Sequence, residues 1–242
     1  MKVIIKKDYL DLSKEASNLI ELEIKNNPKL VLGLATGSTP LGTYKELIKK
    51  HIECGLDFSE ITTFNLDEYL DICHDDSNSY HYFMYENFFN HININSENIY
   101  IPNGKPENVE DYCKNYDNKI QELGGIDLQI LGIGENGHIG FNEPNSEELY
   151  LGTHITDLTE STIKANARFF NSMEEVPKKA ITMGLGSIMK SKKIILLASG
   201  KKKAQIIKKL LSYNAISTKI PASILLLHPN ITIILDEEAA TV

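Results

Sequence analysis

Residues 132–144 read Gly-Ile-Gly-Glu-Asn-Gly-His-Ile-Gly-Phe-Asn-Glu-Pro and gather an imidazole (His138), a carboxylate (Glu143) and an amide (Asn136) among four glycines. A histidine set between polar groups suits proton transfer by a positioned imidazole. Glycine lets backbone and ligand approach closely. The apolar run 126–133 leads straight into the segment. A loop that follows a parallel strand is where α/β proteins place their ligands. Gly132, Gly134 and Gly137 also match the dinucleotide pattern G-x-G-x-x-G. That pattern needs a helix opening at its third glycine, with the helix N-terminus meeting a pyrophosphate. Here His138, Gly140, Asn142 and Pro144 follow, a poor helix start, so nicotinamide binding is set aside.

Three further loops hold candidate chemistry. Thr36-Gly37-Ser38-Thr39 lies between an apolar run and Pro40. Its free N–H groups and hydroxyls suit a phosphate. No Gly-Lys-Ser/Thr follows, so a sugar phosphate fits better than a nucleoside triphosphate. The alternative is a plain strand–helix turn capped by Ser38 or Thr39. Asn65-Leu66-Asp67-Glu68-Tyr69 places two adjacent carboxylates after a strand. In extended backbone they point opposite ways, so only one of Asp67 and Glu68 enters a cavity directly. Such a carboxylate could be the base for a carbon acid, or could serve a cap or salt bridge. Lys203, the favoured member of Lys201-Lys202-Lys203, and Arg168 are the cationic candidates for the phosphate. For Lys201 and Lys202 a solvated helix face is the alternative, and for Arg168 a surface ion pair. For His138 the alternative is a structural histidine, which Gly137 and Gly140 disfavour by leaving the ring open. No histidine pair has metal-ligand spacing, so no catalytic metal is expected. No Gly-x-Ser-x-Gly elbow occurs.

These loops need a frame. The runs 29–35, 61–64, 126–133, 194–198 and 231–235 read as buried strands. Helical spacing marks 8–26, 41–54, 80–89, 109–123 and 201–213. Such alternation implies a parallel sheet covered on both faces, with its loops gathered at one edge. No segment looks like a hinge, so residues 1–242 are expected to form one domain. A net charge of −8 gives no field for nucleic acid. Cys54, Cys73 and Cys113 are sparse and odd in number, which suits a reducing cytosol better than a disulfide framework. The start is too short and charged for a signal peptide. No apolar run approaches the roughly 20 residues of a membrane helix. The expectation is a cytoplasmic protein with neither a nucleic-acid nor a membrane partner.

Taken together, the loops resemble the glucosamine-6-phosphate deaminase family. The matching segments are Leu-Gly-Leu-Ala-Thr-Gly-Ser-Thr-Pro at 32–40, Thr-Phe-Asn-Leu-Asp-Glu-Tyr at 63–69, the 132–144 segment, and Ala-Asn-Ala-Arg-Phe-Phe at 165–170. The resemblance runs nearly end to end. Related 6-phosphogluconolactonases share the first half of 132–144 but typically continue into a Ser-Leu-Phe-Pro type ending. The resemblance implies a three-layer α/β/α fold with a modified Rossmann-like, mostly parallel sheet. It implies conversion of glucosamine 6-phosphate and water to fructose 6-phosphate and ammonia, with no organic cofactor. His138 would open the sugar ring, Glu143 would hold its imidazole, and Asp67 would move the C2 proton to C1. Thr36, Gly37, Ser38, Thr39, Arg168 and Lys203 would fix the phosphate.

Two departures from the family pattern follow. Many members carry aspartate where this chain has Asn136, and an amide orients a neighbour without adding charge. Glu135 could partly supply that charge or face solvent. Regulated members bind N-acetylglucosamine 6-phosphate through basic residues after the catalytic segment. The stretch 146–156 has no Lys or Arg, and the sequence ends at Val242 without their longer C-terminal extension. The expectation is an enzyme that this activator does not stimulate. Oligomeric state stays open between monomer and homo-oligomer. A phosphosugar lactonase or isomerase is the nearest rival. A sugar-phosphate sensor is the rival from another class, but the acidic helix 8–26 offers no basic DNA-reading surface.

Overall fold

The computed structural model describes residues 1–145 and 147–241. Its first half runs β1 (Lys2–Lys6), α1 (Tyr9–Asn26), β2 (Val31–Leu34), α2 (Ser38–Cys54), β3 (Thr62–Asn65), β4 (Asp67–Tyr69), α3 (Tyr80–Asn87), β5 (Ile99–Tyr100) and α4 (Val109–Glu122). The second half runs β6 (Leu128–Gly132), β7 (His154–Asp157), α5 (Glu160–Asn166), β8 (Lys179–Thr182), α6 (Leu185–Met189), β9 (Lys193–Ala198), α7 (Ala204–Ser212), β10 (Ile231–Asp236) and α8 (Glu237–Ala240). Seven strands form one sheet in the order β1-β10-β9-β6-β2-β3-β5, and every pairing in it is parallel.

Alternation along the strands divides the core in two. In β9, Ile194, Leu196 and Ala198 join one apolar cluster, whereas Ile195 and Leu197 join the other. The first cluster is closed by α4, α6, α7 and α8, through side chains such as Tyr116, Leu185 and Ile207. The second is closed by α1, α2 and α3, through Leu12, Ile20, Leu47 and Met84. Each fully buried aliphatic side chain contributes about 1.5–3 kcal/mol, so both faces must be covered for the sheet to be stable. The result is the three-layer α/β/α arrangement that the sequence implied.

Strand order reverses at β2. β3 and β5 extend the sheet to one side, and β6, β9, β10 and β1 to the other. The crevice beyond β2 and β6 is therefore a topological switch point. A second sheet, β4-β8-β7, is antiparallel and was not legible in the sequence, because each strand has only three or four residues. Leu66 joins the two sheets. Its N–H donates to the Leu34 carbonyl at 3.1 Å, and its carbonyl accepts from the Met183 N–H at 2.7 Å. That splice holds Asp67 at the end of β3. Lys201–Lys203 forms a 3-10 turn ahead of α7, where the sequence suggested continuous helix. No described helix is long and apolar enough to cross a membrane. Ser146, which opens the 146–156 stretch, and Val242 lie outside the described residues.

Candidate active site

A cleft of about 900 Å³ opens at the C-terminal edge of the parallel sheet. The loops after β2, β3, β6 and β9 all contribute to it, as does α5. Of the sequence-predicted residues, Thr36, Gly37, Ser38, Thr39, Asp67, Asn136, His138, Arg168 and Lys203 line the cleft. Glu143 stands behind His138, with its Oε2 at 3.3 Å from the ring Nδ1.

The loop after β6 closes on itself instead of starting a helix. Gly134 N–H donates to the His138 carbonyl at 2.9 Å, and Gly137 N–H donates to the Gly134 carbonyl at 3.0 Å. The helix that a dinucleotide fingerprint requires does not follow. A β-carbon on Gly134 would overlap the imidazole of His138, so glycine is needed to seat the ring. Asn136 works on both sides of the pair. Its Oδ1 accepts from the His138 backbone N–H at 3.1 Å, and its Nδ2 donates to Glu143 Oε2 at 2.9 Å. It therefore orients His138 through the backbone and through Glu143, not through the ring.

Glu143 has partners that sequence reasoning missed. Thr162, on α5, donates to Oε1 in a short hydrogen bond, and Thr159, which caps α5, donates to Oε2 at 3.2 Å. The Thr-x-x-Thr spacing at a helix start was the available signal, but nothing tied it to a residue 16 positions earlier in the chain. Burial pushes the Glu143 carboxyl up. Its hydrogen bond to His138 and the charge of that ring, with Thr162 and Asn136, outweigh burial and hold it below the usual carboxylate range.

The adjacent carboxylates separate as extended backbone requires. Asp67 enters the cleft at 5% exposure. Glu68 turns the other way and accepts the N–H groups of Tyr69, Tyr80 and His81 at 2.8–2.9 Å, which satisfies the start of α3. Burial, reinforced by the charge of Glu68, pushes Asp67 up to about 8. Burial also raises Glu68, to about 7, against the pull of its three backbone donors. A β-carbon on Gly140, whose φ is +58°, would press on Thr182 Oγ1 and lie 3.3 Å from Asp67 Oδ2. Glycine there keeps the approach to the carboxylate open. Tyr80 also lines the cleft and stacks on Phe141 with centroids 5.8 Å apart. Nothing in the local residue pattern separates Tyr80 from the core face of α3.

At the other end of the cleft, α2 starts from Gly37 with no side-chain cap. Neither Ser38 nor Thr39 occupies the cap position; both lie in the first turn. The first amides of α2 thus have no capping side chain, an arrangement suited to an anion. Arg168 Nη2 donates to Ser38 Oγ at 3.3 Å, which brings the guanidinium to the same turn. Burial lowers the ammonium pKa of Lys203, partly offset by the charge of Glu135. Glu135 is exposed at the cleft and electrostatically close to Lys203. The buried Asp236 fixes the loop after β9 by accepting from Ser199 Oγ and Gly200 N–H. Among the described residues, no group of three or more His, Cys, Asp or Glu side chains is placed to hold a metal ion.

A doubly covered parallel sheet, with an anion-type helix start and two opposed carboxylates at its switch point, defines an α/β protein built for acid–base work on a small anionic ligand. Comparison with known proteins narrows that class. Residues 9–233 match the family model described as glucosamine-6-phosphate isomerases/6-phosphogluconolactonase, and the chain belongs to that family. It is 59% identical over 241 residues to a glucosamine-6-phosphate deaminase of Thermoanaerobacter pseudethanolicus, covering 100% of this chain and 94% of that one. It is 56% identical over 240 residues to a glucosamine-6-phosphate deaminase of Clostridium perfringens, covering 99% and 98%. Among solved structures it superposes on a monomeric glucosamine-6-phosphate deaminase with a TM-score of 0.95 at 48% identity, covering 100% and 99%.

Proposed function

We propose that this protein is a glucosamine-6-phosphate deaminase, converting glucosamine 6-phosphate and water to fructose 6-phosphate and ammonia. One observation carries the reading: two carboxylates in one site are pushed in opposite directions. Asp67 is raised to about 8, whereas Glu143 is held low beside His138. Groups separated in this way divide the acid and base work.

The phosphate sits on the first turn of α2, with Arg168 and Lys203 closing on it. That anchor sets the sugar along the cleft. His138 opens the ring by passing a proton to the ring oxygen as the C1 hydroxyl loses one, and Glu143 steadies the imidazole. The aldehyde now acidifies C2. Asp67 removes the C2 proton, and the electron pair moves to make a planar enolamine as the aldehyde oxygen takes a proton from the substrate's ammonium group. The same carboxyl returns the proton to C1, since one face of a planar intermediate serves both steps. Water then adds at C2 of the resulting iminium and ammonia departs. The substrate's ammonium group favours the ionised form of Asp67 on binding. Glu143 favours this reading over the lactonase, because it belongs to the Phe-Asn-Glu-Pro ending for which a lactonase has no evident need.

The working site is taken to be cytoplasmic and the role catabolic. The decisive experiment incubates purified protein with glucosamine 6-phosphate and measures fructose 6-phosphate and ammonium together. Equal amounts of both support the reading. No turnover, with saturable binding, would favour a sensor; turnover of 6-phosphogluconolactone alone would favour the lactonase.

A further inference from the structure

The hydroxyl of Thr162 touches both halves of the His138–Glu143 pair. The residue is 4% exposed. Its Oγ1 donates to Glu143 Oε1 and lies 3.4 Å from His138 Nδ1. A threonine hydroxyl carries one proton. Once that proton is committed to the carboxylate, the oxygen can only accept from the ring. Glu143 Oε2, at 3.3 Å from the same nitrogen, is an acceptor as well. Two acceptors converge on Nδ1, so Nδ1 must carry the hydrogen. Nε2 is then the nitrogen left for the sugar.

The support is layered. Thr159 Oγ1 lies 3.2 Å from Thr162 Oγ1 and 3.2 Å from Glu143 Oε2. Asn136 Nδ2, besides holding Glu143, lies 3.4 Å from Ser161 Oγ. The first turn of α5 thus grips the carboxylate that grips the imidazole. The same helix lines the cleft with Lys164 and Asn166.

We propose that Thr162 is a positioning residue: its hydroxyl locks the Nδ1–H tautomer of His138 and thereby sets the rate of ring opening. The kinetic half rests on the deaminase reading above; the tautomer half does not. The outer hydrogen-bond partners of metal-binding histidines change activity by about 10–100-fold when removed, and a loss at the low end of that range is expected here.

The test compares Thr162→Val, which keeps the volume and loses the hydroxyl, with Thr162→Ser, which keeps the hydroxyl. Nitrogen-15 NMR of the imidazoles reads the tautomer directly. The parent and Thr162→Ser should show His138 as Nδ1–H, and Thr162→Val, in which Glu143 Oε2 is the acceptor left at Nδ1, should show a mixture of the two tautomers. With glucosamine 6-phosphate, kcat should fall about 10-fold or more in Thr162→Val. KM should stay within about twofold, and Thr162→Ser should recover most of the rate. Glu143 retains its Asn136 and Thr159 donors in both variants, so a melting curve close to the parent is expected. An unchanged tautomer in Thr162→Val, or a loss confined to KM and melting temperature, would overturn the proposal. If the parent makes no fructose 6-phosphate, the deaminase reading fails, while the NMR comparison still decides the tautomer lock.

Discussion

Asp67 and Glu143 show how one residue type takes two tasks. Asp67 meets buried surroundings and a like charge, so its proton is held tightly. Glu143 meets donors and an imidazole, so it stays ionised despite burial. Asp67→Asn keeps the shape and removes the base. Its kcat should fall by about 10²–10⁴, read from coupled release of fructose 6-phosphate and ammonium. The acidic limb of kcat/KM in the parent should lie well above the ordinary carboxylate range, because the free enzyme must ionise Asp67 near 8. A limb near pH 4 would remove Asp67 from the role. Asn136→Asp places a third carboxyl against Glu143, at the position where Nδ2 now donates at 2.9 Å. The lost donor should loosen Glu143 and lower kcat, while the acidic limb of kcat/KM, set by Asp67, stays in place; a limb that moves with this variant would show that position 136 acts through charge.

At the scale of elements, helix starts do most of the positioning. Asp8, Ser79, Asn108, Thr159 and Asp236 each cap the helix that follows, whereas α2 has no side chain in that place. α6 and α7 start without a capping side chain too; the first turn of α2 is the one that Arg168 meets, at the end of the cleft proposed for phosphate. Glu68 lends a carboxylate to the start of α3. Glu68→Ala leaves three buried or half-buried N–H groups without that acceptor, and should destabilise the fold by about 1–3 kcal/mol in a denaturant titration. Because α3 carries Tyr80 into the cleft, the same variant should also raise KM. An intact melting curve with normal kinetics would show that water replaces the carboxylate fully.

For the whole molecule, the two raised or lowered carboxyls pull the pH dependence of stability in opposite senses. Asp67 has a folded value above its ordinary 3.8, so its contribution is complete below that pH and is lost as pH rises toward about 8. Glu143 has a folded value below its ordinary 4.5, so its contribution is present above that pH and is lost as pH falls through the folded value. Asp67→Asn should therefore raise the melting temperature more at pH 8 than at pH 5. An equal gain at both would mean that Asp67 is not held protonated by the fold. Regulation belongs to this scale too. The proposal is an enzyme that N-acetylglucosamine 6-phosphate does not activate, since 146–156 has no Lys or Arg. A several-fold rise in rate with that compound at subsaturating substrate would refute it.

Much of the frame is written locally. Apolar runs with abrupt polar ends declare β2, β3, β6, β9 and β10, and their alternation with helices requires a parallel sheet. The same logic brings Thr36–Thr39, Asp67, His138 and Lys203 to one edge before any coordinate is known. The 132–144 segment is specific enough to name a family. The antiparallel strands β4, β7 and β8 escape, because three or four residues carry too little pattern and the pairing of β4 with β8 joins positions more than 100 apart. Which of Asp67 and Glu68 enters the cleft also needs the structure. Extended backbone says only that they diverge, and the N–H groups of α3 decide which way. The partners of Glu143 are likewise tertiary: Thr159 and Thr162 meet it because α5 packs back over the loop. Sequence determines which side chains exist and the period on which they repeat. Direction, burial and the proton each group holds depend on surroundings supplied by distant parts of the chain, and those are fixed only when the chain folds.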